Sequence, residues 1–169
     1  MMPAVDTVVR TITDLVGDMW PRTEGERVAW FRLHRIEPAV EITALRHWGT
    51  GVPGWGEAQT FWQLYRGRLA GLGWMLFDGY ERDLVMAWGR AAADRLTATL
   101  GKPAESAETC EGIRAEWRLR AHRLYVYVHS GRPALGDTPP APPLVQIHLD
   151  LTVLAEARAQ AARARHFLR

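Results

Sequence analysis

The sequence predicts an α+β fold: a mostly antiparallel sheet covered by helices, two of them N-terminal and one C-terminal. Three observations carry this. Residues 5–19 repeat apolar side chains at helical spacing. Residues 124–129 and 144–151 instead alternate apolar and polar side chains, as strands with one solvated face do. Hairpin-like stretches outnumber the buried parallel runs that a βαβ architecture needs.

In the first helix Val5, Val8, Val9, Ile12, Leu15, Val16 and Met19 share one face, and Pro21 ends it. Thr23 and Glu26 form a capping-box pattern ahead of "RVAWFRLHRIE", a second helix that Pro38 stops. "VEITALRHW" (40–48) begins as a strand, with Val40, Ile42 and Ala44 opposing Glu41 and Thr43, and "GTGVPGWG" (49–56) reads as a loop. Ala58, Phe61, Trp62, Tyr65, Leu69 and Leu72 then make the stripe of a third helix, with Gly71 and Gly73 at its end.

Residues 74–88 read as two short strands around a turn at Asp78-Gly79. "RAAADRLTATLGKP" is a helix with Gly101 at a left-handed cap and Pro103 beyond. "AESAETCEG" is a polar linker, and residues 114–130 are one long strand or a hairpin turning near Ala121-His122. Five of the ten prolines crowd into residues 132–143, which makes that loop extended and stiff. Strand 144–151 and an Ala/Arg-rich helix follow, the helix expected against the strands' Leu/Val/Ile face. With no repeat or domain-scale linker, residues 1–169 read as a single α+β domain, a helical segment 1–38 packed on a sheet domain 39–169.

Apolar residues at 47% and charged residues at 24% fit a globular protein of the cytoplasm. Asp6, Arg10, Asp14 and Asp18 interrupt every apolar stretch near the N-terminus, so no leader or membrane span is expected there. Cys110 is the only cysteine, which precludes an internal disulfide and suits a reducing compartment. Lys102 is the sole lysine among 21 basic residues. That skew, with a net charge of only +2, makes arginine a compositional habit and argues against nucleic acid as a partner.

Gly49-x-Gly51-x-x-Gly54 matches the dinucleotide fingerprint, with Asp78 where a ribose-binding acid would sit. Glu41, Thr43, Arg46 and His47 do not suit a doubly buried parallel strand, and Pro53 and Trp55 crowd the turn that must approach pyrophosphate. The Walker pattern is absent, and Cys110 has no neighbouring histidine. Asp78, Glu81 and Asp83 suit turn chemistry, and Arg158, Arg165 and Arg169 a solvated helix stripe.

The catalytic candidates are His129, His148 and Asp150. Tyr125, Tyr127 and His129 share one strand face, as do Gln146, His148 and Asp150. If the strands are neighbours, the histidines and the aspartate would resemble a two-histidine, one-carboxylate set, or a histidine base oriented by Asp150. The simpler expectation is a solvated sheet face with aromatic cross-strand pairs, and no metal or cofactor is assigned. Trp48 and Trp55, in a glycine-rich loop, are candidates with Tyr125, Tyr127 and Gln146 for lining a ligand or partner surface, and at least one indole should stay partly exposed.

The lead reading is a non-enzymatic domain that binds another protein, a bacterial immunity or accessory protein being one version. The alternative is a small-molecule enzyme or ligand-binding protein using the Tyr/His/Asp face, under the proline-rich loop.

Overall fold

A computed structural model describes residues 2–36, 40–43, 46–50, 55, 58–76, 81–132 and 140–166, and among these described residues are eight strands and four helices. The order is α1 (Val5–Gly17), α2 (Glu24–Leu33), β1 (Val40–Thr43), β2 (Arg46–Thr50), β3 (Gln59–Tyr65), β4 (Arg68–Leu76), α3 (Arg82–Leu100), β5 (Glu105–Thr109), β6 (Gly112–Arg118), β7 (His122–His129), β8 (Leu144–Leu151) and α4 (Thr152–His166). All strands join one sheet in the order β1-β2-β3-β4-β8-β7-β6-β5, each pair antiparallel. The predicted α+β class holds.

The topology contains a repetition that the sequence does not show. Two four-strand meanders, each followed by a helix, meet through their last strands, β4 and β8. No connection between adjacent strands is a right-handed parallel crossover, so the glycine motif around Gly49 has no βαβ unit to serve, and the dinucleotide reading fails on topology. Residues 51–54 of that motif, Asp78, Gly79, the middle of the proline-rich loop (133–139) and Arg169 lie outside the described residues.

On one face, Leu124, Val126, Val128, Val145, Ile147 and Leu149 form a buried apolar layer. The amphipathic face of α1 (Val8, Val9, Ile12, Leu15) packs against α3, which in turn covers β6, β7 and β8. Close approach of α3 depends on Gly89, where a Cβ would stand 3.1 Å from Cγ1 and 3.2 Å from Cβ of Val128. Helix α2 meets the layer at β3, Phe31 packing against Trp62 edge to face at 4.8 Å. Its N-terminus is capped as predicted, the Thr23 side chain accepting from the Glu26 amide. Helix α1 stops at Gly17, before Pro21, and Asp18 then accepts from Trp30 Nε1 and pairs with His34 Nε2, both at 2.8 Å.

Four predicted elements are corrected. The helix expected over 58–72 is the β3–β4 hairpin, turning at Arg66 and Gly67, whose φ angles are both positive (51° and 74°). Positive φ at both central residues is the two-residue turn that matches strand twist. The pair of strands expected over 74–88 is the end of β4 followed by the first turns of α3. The polar linker is β5, an edge strand exposed along its whole length. Strand 40–48 is in fact two strands, β1 and β2, paired with each other. The hairpin alternative for 114–130 is the one adopted, with the turn at 119–121.

Helix α4 does not take the Leu/Val/Ile face, which α3 covers. It runs along β3, β4 and β8 on the opposite face, where Glu156 pairs with Arg123 and Arg158 lies near Asp150. Strands β3 and β4 are thus buried almost continuously, whereas β7 and β8 alternate.

Candidate functional site

Register places the candidate residues in successive rows on the face that α4 only partly covers. One row crosses all eight strands: Glu105, Glu116, Tyr125, His148, Gly73, Phe61, Trp48 and Val40. The next, toward the end of β7, contains Ala107, Arg114, Tyr127, Gln146 and Met75. The row on the other side pairs Arg118 with Arg123 and Arg123 with Asp150, which lies opposite Gly71. His129 pairs with Leu144, at the far end.

The face is therefore shared, as the sequence predicts, but the catalytic trio is not brought together. Four residues separate His129 from the His148 row and six from the Asp150 row. At roughly 3.3 Å per residue these are gaps of about 13 and 20 Å. Among the described residues no group of three or more His, Cys, Asp or Glu side chains is placed to hold a metal ion.

Tyr125, Tyr127 and His148 do come together. The two tyrosines stack at 6.0 Å with planes 9° apart, and Tyr127 meets His148 edge to face at 6.3 Å. His148 in turn meets Phe61 at 4.9 Å, and the Arg114 guanidinium lies 5.7 Å above the Tyr127 ring. Phe61 reaches across β4 because Gly73 has no side chain: a Cβ there would lie 2.7 Å from Cε2 and 2.9 Å from Cε1 of the ring. Tyr125, Tyr127, Gln146 and His148 are half-buried, so their ring and amide faces are fixed by neighbours yet open to solvent. Burial raises the Tyr127 phenol above its usual range against the pull of Arg114, so its hydroxyl stays protonated.

Charge on this face is balanced. Arg118 donates to the buried Glu116 at 2.9 Å and pairs with Glu105 at 3.1 Å, and Arg123 pairs with Glu156 of α4. Asp150 lies beneath α4, its carboxylate filling the space above Gly71, and burial lifts its pKa to about 6 despite Arg158 and Arg123 nearby. A group so enclosed is badly placed to meet a substrate.

Trp55 is buried in the apolar layer, 1% exposed, its ring 5.1 Å from Trp74, which removes it from any contact surface. Trp48 is in β2 and not in a loop, and its side chain lies outside the described residues. Comparison with protein-family models, curated proteins and solved structures finds no match.

What sequence reasoning missed on this face are Arg114, Glu116 and Phe61. The alternation of β6 was available to reveal the first two. Phe61 was hidden by its assignment to a helix.

Proposed function

We propose that the chain is a non-enzymatic protein-binding domain whose interface is the open strip of sheet made by Arg114, Tyr125, Tyr127, Gln146 and His148. The observation that carries this reading is the Tyr125–Tyr127 stack with Arg114 over it. Stacked tyrosines under a guanidinium are large, rigid and amphipathic, and ordering them at an interface costs little entropy. They stand on neighbouring rows of one sheet face, a platform suited to a protein surface.

Balanced charge supports a protein partner over nucleic acid. Arg118 and Arg123 are paired with carboxylates, and Arg114 lies 3.9 Å from Glu105. The same balance disfavours a strongly basic target. A cytoplasmic location and an immunity or accessory role fit this reading, which requires no cofactor. Among the described residues no helix is long and apolar enough to cross a membrane.

The test is quantitative capture from cell extract with the tagged chain and with Tyr125→Ala/Tyr127→Ala. A protein held by the first and depleted about tenfold or more by the second supports the interface. Equal capture by both would remove it.

One observation favours a second reading. A concavity of about 870 Å³ at the far end of β7 and β8 has Arg82, Glu111, His129, Ser130, Arg132 and Gln146 among its lining residues, between the two ends of the proline-rich loop. Two guanidinium groups and a histidine beside a single carboxylate, Glu111, suit a small anionic ligand. Thermal stabilisation by small phosphates or carboxylates, lost in Arg132→Ala, would support it; no stabilisation by any of them would dismiss it.

A further inference from the structure

Strand β5 ends the sheet, and all five of its residues are exposed. Its outward-facing backbone can be identified from the ladder. The Leu119 amide donates to the His122 carbonyl at 2.8 Å and the Ser130 amide to the Glu111 carbonyl at 2.9 Å. Odd-numbered residues along β6 therefore bond toward β7, and even-numbered Gly112, Arg114 and Glu116 turn toward β5. Their register partners Thr109, Ala107 and Glu105 face inward. The N–H and C=O groups of Ser106 and Glu108 are left pointing out of the sheet.

Native edges are usually blunted by lysine, proline or unpaired charge. Lys102 and Pro103 precede β5, but the strand "ESAET" contains neither residue type. Its two acids are neutralised within the chain, Glu105 by Arg118 at 3.1 Å and Glu108 by Arg90 at 2.8 Å. Neither would repel an approaching strand.

We propose that β5 pairs with β5 of a second copy of this chain, antiparallel about a two-fold axis at Ala107. Ser106 of each copy then exchanges both backbone hydrogen bonds with Glu108 of the other, so the outward groups of both strands are satisfied. Ala107 faces Ala107 at the close, non-hydrogen-bonded position, where small side chains fit. Glu105 faces Thr109 and Glu108 faces Ser106, so each acid meets a hydroxyl. Centring the axis on Glu108 would instead set like charges opposite each other, which destabilises a pair.

Space permits this arrangement. Helix α3 lies over β6 and β7, leaving β5 to project beyond it, and a concavity of about 560 Å³ separates the helix from the strand. At about 4.8 Å between strands, the two α3 helices would stand roughly 19 Å apart across the joint. The result is a continuous sixteen-stranded sheet, twice the eight of one chain.

Sedimentation and cysteine cross-linking test the proposal. The purified chain should show a concentration-dependent dimer at sub-millimolar concentration. Ser106→Pro removes a donor that its own sheet does not use, so it should weaken the dimer about tenfold or more with an unchanged circular dichroism spectrum. In a Cys110→Ser background, Ala107→Cys should form an intermolecular disulfide on mild oxidation, since opposed Cα atoms would be about 4.5 Å apart. Thr109→Cys, about 13 Å from its counterpart, should not. A wild-type chain that stays monomeric, or Thr109→Cys linking as readily as Ala107→Cys, would overturn the pairing.

Discussion

Tyr127 and His148 meet edge to face across the β7–β8 pairing, their planes 84° apart, although their register partners are Gln146 and Tyr125. This diagonal contact joins the tyrosine stack to Phe61 and makes one aromatic strip out of three strands. Tyr127 follows Val126 in the same strand, yet the two should behave differently on truncation. Val126 is fully enclosed in the apolar layer, whereas Tyr127 is half-buried.

Tyr127→Ala should therefore cost about 1 kcal/mol of stability, the value of a cross-strand aromatic contact. Val126→Ala should cost about 2 kcal/mol or more through lost burial and an unfilled cavity. Chemical denaturation of both variants checks the contrast. A Tyr127→Ala loss as large as that of Val126→Ala would make the strip a structural feature.

Gly73→Ala should destabilise by about 1–3 kcal/mol, because the new methyl must displace the Phe61 ring from β4. Adding Phe61→Ala should relieve the overlap, so the double variant loses less than the sum of the singles. Strict additivity in the cycle would show that Gly73 is conserving backbone freedom and not space.

Half-buried Asp150 and buried His122 act on stability in opposite directions with pH. Asp150, with a pKa of about 6, keeps its proton in the folded state where an unfolded aspartate, at about 3.9, has lost it. Its stabilising contribution is complete below about pH 4 and is lost as pH rises to about 6, leaving the fold about 3 kcal/mol less stable above that window. Asp150→Asn should raise the thermal midpoint at neutral pH and flatten this slope. His122, buried beside the Trp20 ring at 4.9 Å, has its pKa lowered by desolvation. Stability lost through His122 therefore appears as pH falls below about 6.5, and His122→Phe should remove it. Thermal midpoints of the two variants from pH 4 to 8 check both signs.

How far the sequence could be read depends on how many faces of each strand are buried. Strands β7 and β8 bury one face fully and the other only in part, so their alternation is visible and their pairing follows. Strands β3 and β4 are buried on both sides, and residues picked from such a run match a helical period as easily as any other. The Arg66-Gly67 turn that would have split them has arginine where asparagine or aspartate is the usual signal. Strand β5 had no apolar face to declare itself. The helical spacing of Val85, Met86, Trp88, Ala92 and Leu96 was present, but Asp78-Gly79 drew the reading toward a hairpin. On the candidate site, the sequence identified the shared face of His129, His148 and Asp150. It could not supply the distances along the strands, which depend on register.

The buried apolar cluster joins residues of α1, α2, α3 and both halves of the sheet without interruption. Unfolding should accordingly be one cooperative transition, with calorimetric and van't Hoff enthalpies equal. Two resolved transitions would separate the helical segment 1–38 from the sheet.

The interface itself is tested most directly by hydroxyl-radical footprinting of the chain alone and in complex with the protein captured from extract. Tyr125, Tyr127 and His148 should lose reactivity severalfold in the complex, while exposed Met19, between α1 and α2, and Leu84 of α3 should keep theirs. Unchanged reactivity of the three strip residues, with protection elsewhere, would contradict the proposed interface.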